Sequence, residues 1–139
     1  MSPRDTGTGR VLEEMILPSL RRGGYTYSQG PQKIGPRFGG GAHYVDVIAE
    51  KDGQRCLVSL KWQQVAGTAE QKVPFEVICL ADSVLTGQFA KAYLVLGGEG
   101  WKLRNFYTGG GLRNQLVHAD KVEILTLEGF VAKANQGKL

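Results

Sequence analysis

The sequence predicts an α/β protein in which a small mixed sheet is flanked by helices. Three observations carry that expectation. Two β-rich runs flank Asp52-Gly53 in "HYVDVIAEKDGQRCLVSLKW", a strong hairpin signal because Asp-Gly suits a tight turn with positive φ at both central residues. Ala69, Val73, Val77, Leu80 and Val84 then recur at helical spacing, up to about Leu85. "AKAYLVLGG" follows as a nearly unbroken apolar run, the pattern of a central strand buried on both faces.

The remaining elements follow in order. "GRVLEEMILPSLRRGGY" sets Leu12, Met15, Ile16 and Leu20 at helical spacing and stops at Gly23-Gly24, with Pro18 placed to kink or split the helix. "YTY" reads as a short strand and residues 28–42 as loop. Beyond the apolar strand, "GWKLRNFYTGGGLRNQLVHAD" reads as short helices or loop, and "KVEILTL" as another strand. "EGFVAKANQ" makes a last helix, with Thr126 placed to cap it. There is no internal repeat, and 139 residues fit one domain, 1–139.

Composition excludes several classes. Cys56 and Cys79 lie in apolar runs without Cys-x-x-Cys spacing, so they read as buried free thiols, not as a zinc site or a disulfide framework. "MSPRDTGTGR" has no signal-peptide apolar region and no run approaches a membrane span, which leads to the expectation of a cytoplasmic protein with no membrane partner. "GGEG" and "TGGGLRN" lack the Lys-Ser/Thr of a phosphate-binding loop and read as turns. His43 and His118 have no metal-ligand spacing, although His43 could approach the hairpin from its start. The formal charge of +4 is mildly basic. Its distribution says more: from Tyr25 to Val45 there is no acidic residue, and Lys33 and Arg37 stand there among Gly and Pro. Such a loop suits a phosphate backbone. Arg104 and Arg113 are further candidates for that contact.

The hairpin places chemistry on one face. With Asp52-Gly53 as a two-residue turn, Lys51 pairs with Gln54 and Asp46 falls opposite Ser59. Opposed residues have Cβ atoms roughly 4.5–5.5 Å apart and diagonal neighbours about 7–8 Å. Lys61, two residues past Ser59, shares its face, as does Gln63. The other face carries Val45, Val47, Val58, Leu60 and Trp62 for the core. A carboxylate, a hydroxyl and an ammonium group thus converge. Phosphodiester cleavage calls for such a set: Mg²⁺ on hard oxygen ligands to polarise the phosphate, and a lysine to orient water or stabilise charge on phosphorus. One carboxylate makes a weak metal site, so a second is required.

These residues resemble the core of the PD-(D/E)xK nuclease superfamily: an Asp on one strand of a hairpin, then an acidic residue, one variable residue and Lys on the next. Asp46 and Lys61 match that pattern. Val45 replaces the usual Pro, and Ser59 stands at the acidic position. A branch of type II restriction enzymes is similar, with Ser-x-Lys and the missing glutamate moved to the following helix. Glu76 stands near that position, and Glu70 is its rival. Glu14 corresponds to the first-helix glutamate of archaeal Holliday-junction resolvases in this superfamily, and the resemblance makes the Leu60 carbonyl a further metal ligand. Gln63 could hold the water or a phosphate, and Ser59 could contact a water beside the metal. The resemblance thus implies a restriction-endonuclease-like mixed central sheet with a β-hairpin core. It implies a DNA endonuclease using Mg²⁺, or Mn²⁺ in its place, working as a homodimer or higher homo-oligomer. A structure-selective (Holliday-junction) nuclease, a mobile-element nuclease and an inactive nucleic-acid-binding module remain alternatives.

Overall fold

The hairpin forms in the expected register. Lys51 pairs with Gln54, and the ladder runs through Glu50↔Arg55, Ala49↔Cys56 and Ile48↔Leu57 to Val47↔Val58. Asp52 and Gly53 take φ of 55° and 78°, the left-handed pair that a two-residue turn of this kind demands. In the computed structural model, which describes residues 9–28, 31–37 and 39–139, these strands are β4 (Val47–Lys51) and β5 (Gln54–Trp62).

The ladder stops one pair short of Asp46. The run "HYVDVIAEK", expected as one strand, is two: β3 (Ala42–Val45) and β4, with a bend at Asp46. β3 pairs with β2 (Gln32–Pro36), a strand where loop was expected. Gly35 and Pro36 masked it in the sequence, and the structure accommodates them with an irregular register between Lys33 and Pro36. The bend also moves Val45. It belongs to the core on the opposite side of the sheet from Val47, not beside it as strict alternation requires.

The central sheet has the order β1-β4-β5-β6-β7, with β1 (Thr26–Tyr27), β6 (Lys91–Gly97) and β7 (Val122–Thr126) completing it. β1, β4 and β5 are antiparallel neighbours, whereas β5, β6 and β7 run parallel, so the sheet is mixed. β6 is central and buried along nearly its whole length, as its apolar run requires. On one face Leu57, Leu94 and Leu96 pack against Val73, Val77 and Leu80 of α3 (Ala69–Thr86). The same layer takes in Tyr107 of α4 (Arg104–Thr108) and Leu112. On the other face Val47, Val58 and Tyr93 pack against Ile16, Leu20 and Phe130. Those come from a π-helical segment, α1 (Leu12–Ile16), from α2 (Leu17–Arg22), which continues it, and from α5 (Leu127–Asn135). Pro18 falls at the start of α2, directly after the π turn, where the change of register absorbs its missing N–H. Thr126 caps α5, its Oγ1 accepting from Gly129 N–H at 3.0 Å. Cys56 and Cys79 are buried and free. Among the described residues no helix is long and apolar enough to cross a membrane.

Candidate functional site

Three consecutive residues of β5 organise the site. Leu60 N–H donates to Asp46 Oδ2 at 2.7 Å, while Asp46 N–H donates to Val58 O at 3.1 Å. The bend that takes Asp46 out of the ladder therefore turns its carboxylate onto the backbone of β5. Ser59 Oγ, on the α3 face, donates to Glu76 Oε2 at 3.1 Å. Lys61 follows on that face, half-buried, and its ammonium group lowers the Glu76 pKa by charge. Among the described residues Lys61 has no hydrogen bond and no ion pair.

Glu76 needs these neighbours. Its side chain is 13% exposed, and burial alone raises its pKa. Against that, His43, the Lys61 charge and the Ser59 hydroxyl hold it below its ordinary value, so it is a carboxylate at neutral pH. His43 Nε2 lies 3.6 Å from Glu76 Oε2, an ion-pair distance and too long for a hydrogen bond. The other ring nitrogen, Nδ1, is 3.1 Å from Ser83 Oγ. Ser83 escaped the sequence reading, although it stands two turns beyond Glu76 on the inward stripe of α3. That spacing of polar residues beside Val73, Val77 and Leu80 is the signal that could have found it.

Other candidates are brought elsewhere. Glu70 is buried, and its carboxylate accepts from Lys102 N–H at 2.6 Å, Leu103 N–H at 3.0 Å and Gln63 Nε2 at 3.3 Å. It satisfies the amides of the two residues just before α4, so both oxygens face N–H groups. Its carbonyl is tied too. Pro74, four residues on, has no N–H to give it, and the Tyr107 hydroxyl donates instead at 2.8 Å. Gln63 is equally engaged: it donates to Gly100 O at 2.8 Å and accepts from Ala69 N–H at 3.0 Å. Here Gly98 and Gly100 are needed because a Cβ on either would fall 2.4 Å from the backbone of Gln63 or Val65. Glu14, 66% exposed, belongs to α1 on the opposite layer and pairs with Arg10 at 3.6 Å.

The basic candidates divide. Lys33 and Arg37 lie at the β2–β3 ribbon, whose far end is the Asp46 bend, and Arg37 stacks 5.7 Å from the ring centroid of Phe75, next to Glu76 in α3. Arg104 opens α4 and lines a groove of about 430 Å³ with Trp62, Gln64 and Glu99, at the C-terminal ends of β5 and β6. Arg113 lies by the β7 edge, beside Ile124 and Leu125. A cavity of about 400 Å³ lined by Lys51, Arg55 and Lys91 is at the start of β5, and none of the site residues line it.

Among the described residues no three of His, Cys, Asp and Glu gather as a metal-binding group. The chemistry that fits is a hard cation held by one or two carboxylates, with water and substrate oxygens completing its shell.

A mixed sheet with a hairpin core, helices on both faces, and carboxylates led to one lysine strand from a strand bend and the next helix is the restriction-endonuclease-like class. The chain belongs to the PD-(D/E)XK nuclease superfamily, whose domain model matches residues 4–138. A crystal structure of a protein of unknown function, AF1548, shares the fold: TM-score 0.50 at 11% identity, over 80% of this chain and 54% of that one. A repair endonuclease from Pyrococcus abyssi aligns with TM-score 0.47 at 17% identity, over 93% of this chain and 48% of its own. The chain thus spans about half the length of the solved structures it matches. Among curated proteins none matches the sequence.

Proposed function

We propose that this chain is a DNA endonuclease domain in which Asp46, Glu76 and the Leu60 carbonyl hold a Mg²⁺ ion, replaceable by Mn²⁺. The observation that carries the reading is the hydrogen bond from Ser59 Oγ to Glu76 Oε2 at 3.1 Å. It sets a helix carboxylate beside Ser59, which supports reading Glu76 as the stand-in for the motif's own acidic residue. The bound cation would polarise the scissile phosphate and make a water more acidic. The protein's side chains do the rest. Leu60 N–H fixes Asp46, Ser59 fixes Glu76, and Lys61 orients the attacking water or stabilises negative charge growing on the phosphate oxygens. Hydrolysis joins the water oxygen to phosphorus and breaks one P–O ester bond, leaving a phosphate monoester and a hydroxyl end.

Lys33 and Arg37, with the exposed aromatics Tyr44 and Phe75 beside them, would hold the DNA backbone next to the site. Arg104, at the C-terminal ends of β5 and β6, and Arg113, by the β7 edge, would add backbone contacts away from that ribbon. A homodimer supplies the second site needed to cut both strands.

The test is cleavage of labelled linear duplex, single-stranded and four-way-junction DNA with Mg²⁺ or Mn²⁺. Lys61→Ala should lose at least about a hundredfold in rate, the usual effect of removing one charge-stabilising group. Cleavage that needs no metal, or that survives Lys61→Ala, would overturn the assignment. Wild type and mutant equally inactive, with DNA still bound, would also overturn it in favour of a binding module.

A further inference from the structure

His43 is 5% exposed, and its Nε2 is a buried polar atom with no hydrogen-bond partner among the described residues. Such atoms are rare, and each calls for a reason. Here the reason lies 3.6 Å away, at the Glu76 carboxylate. An ionised carboxylate only accepts hydrogen bonds, so a bare nitrogen lone pair facing it would be repelled, whereas Nε2–H is attracted. The proton therefore belongs on Nε2. Nδ1 is then left to accept from Ser83, whose hydroxyl at 3.1 Å can turn to donate. Ser83 and Glu76 both come from α3, and His43 comes from β3, three residues before Asp46. The chain Ser83–His43–Glu76 thus ties the helix that carries one carboxylate to the strand that leads into the other.

We propose that His43, with its tautomer set by Ser83, is a positioning residue that holds the Glu76 carboxylate in its metal-binding orientation. This rests on the nuclease reading above. Ser59 holds Glu76 Oε2 by a hydrogen bond from the strand side, and the His43 N–H attracts the same oxygen electrostatically across 3.6 Å, so Oε1 is the atom left to face the cation. The imidazole itself stays out of the metal shell, because Nδ1 faces Ser83 and Nε2 faces Glu76. Histidine–carboxylate supports of this kind commonly alter metal affinity or activity 10–100-fold on mutation.

Two measurements test it. The first needs neither metal nor activity: the ring ¹⁵N shifts of His43 by NMR should show a proton on Nε2, and Ser83→Ala should weaken that preference. The second is Mn²⁺ binding, by calorimetry or by the loss of the free-ion EPR signal. His43→Phe, which keeps ring volume but has no donor, should bind Mn²⁺ about tenfold more weakly or worse. His43→Gln, whose amide N–H can reach the same oxygen, should recover most of the loss while His43→Phe melts within a few degrees of it. A bare Nε2, or wild-type Mn²⁺ affinity in His43→Phe, would overturn the proposal. Equal loss in His43→Gln and His43→Phe would overturn it as well, because packing alone would then explain the effect. Wild-type protein that has the Nε2 proton yet binds no Mn²⁺ and cuts no DNA would overturn the nuclease reading instead, and with it the metal-holding purpose of the contact.

Discussion

Glu70 and Glu76 stand on the same helix, both turned toward the interior. Around Glu70 every neighbour is a donor fixed by the fold: two backbone amides and the Gln63 side chain. Around Glu76 the neighbours are a hydroxyl, an imidazole at 3.6 Å and the Lys61 charge, and Oε1 carries no hydrogen bond among the described residues. The Glu70 carboxylate thus has both oxygens engaged by donors that the fold fixes in place. A carboxylate held by a single oxygen, with the other free of hydrogen bonds among the described residues, keeps coordination capacity. The difference teaches that a buried glutamate is read by what its oxygens face, not by its burial or its place in a helix. It also separates what each should do when removed.

The largest contrast should come from Glu76→Gln. The change keeps shape and an acceptor but removes a charge that is costly to bury. We expect a modest loss of stability, smaller than that of Glu70→Ala, because His43, Lys61 and Ser59 outweigh burial and favour the ionised form. Cleavage of DNA, on the proposed reading, should fall more than about a hundredfold, beyond the range of a supporting residue. Parallel thermal melts and rate measurements decide it. A Glu76→Gln protein that cuts at the wild-type rate would erase the distinction drawn between the two glutamates.

Glu70→Ala should invert that pattern. It strips charge-assisted acceptors from Lys102 and Leu103 N–H and leaves Gln63 without one partner. At roughly 1.5 kcal/mol for each of the two backbone bonds to the charged group, the loss is about 3 kcal/mol, on the order of 10 °C in Tm. Mn²⁺ affinity measured well below the melt should stay near wild type. Weakened Mn²⁺ binding with an unchanged Tm would mean that Glu70, not Glu76, serves the metal.

These cases explain what the sequence could reveal. The hairpin register was legible because Asp52-Gly53 and the alternation of β5 act locally, and the stripe Val73, Val77, Leu80 announced α3 for the same reason. Ser59 and Lys61 share a face whatever the turn does, since period 2 fixes it. The end of the ladder at Asp46 was not legible, because it depends on β3 pairing with β2, a strand hidden by Gly35 and Pro36. Nor could Glu70 be separated from Glu76 by spacing: its partners Lys102 and Leu103 lie 32 and 33 residues away. The partner that Gln63 finds in Gly100 was out of view for the same reason. Facing is a local property, whereas satisfaction of a polar group is a long-range one.

A third glutamate sharpens the comparison at smaller amplitude. Glu123 on β7 is bridged by Lys91 at 2.6 Å and Lys133 at 2.9 Å, with its side chain 23% exposed. Burial raises its pKa, but the two ammonium groups outweigh that and hold it below the ordinary 4.5. A carboxyl group whose folded pKa is depressed stabilises the fold fully above its unfolded pKa, and that stabilisation fades as pH falls through the folded value. The stability gap between wild type and Glu123→Gln should therefore be flat from neutral pH down to about 4.5 and close below it. Lys91 and Lys133 are themselves partly exposed, so salt should narrow the gap at pH 7. Glu70→Ala should show no such salt dependence, because its partners are neutral amides. Denaturant titrations of both mutants at low and high salt would separate an ion-paired glutamate from one held by the backbone. A salt-sensitive Glu70→Ala would mean that charges, not amides, hold that carboxylate.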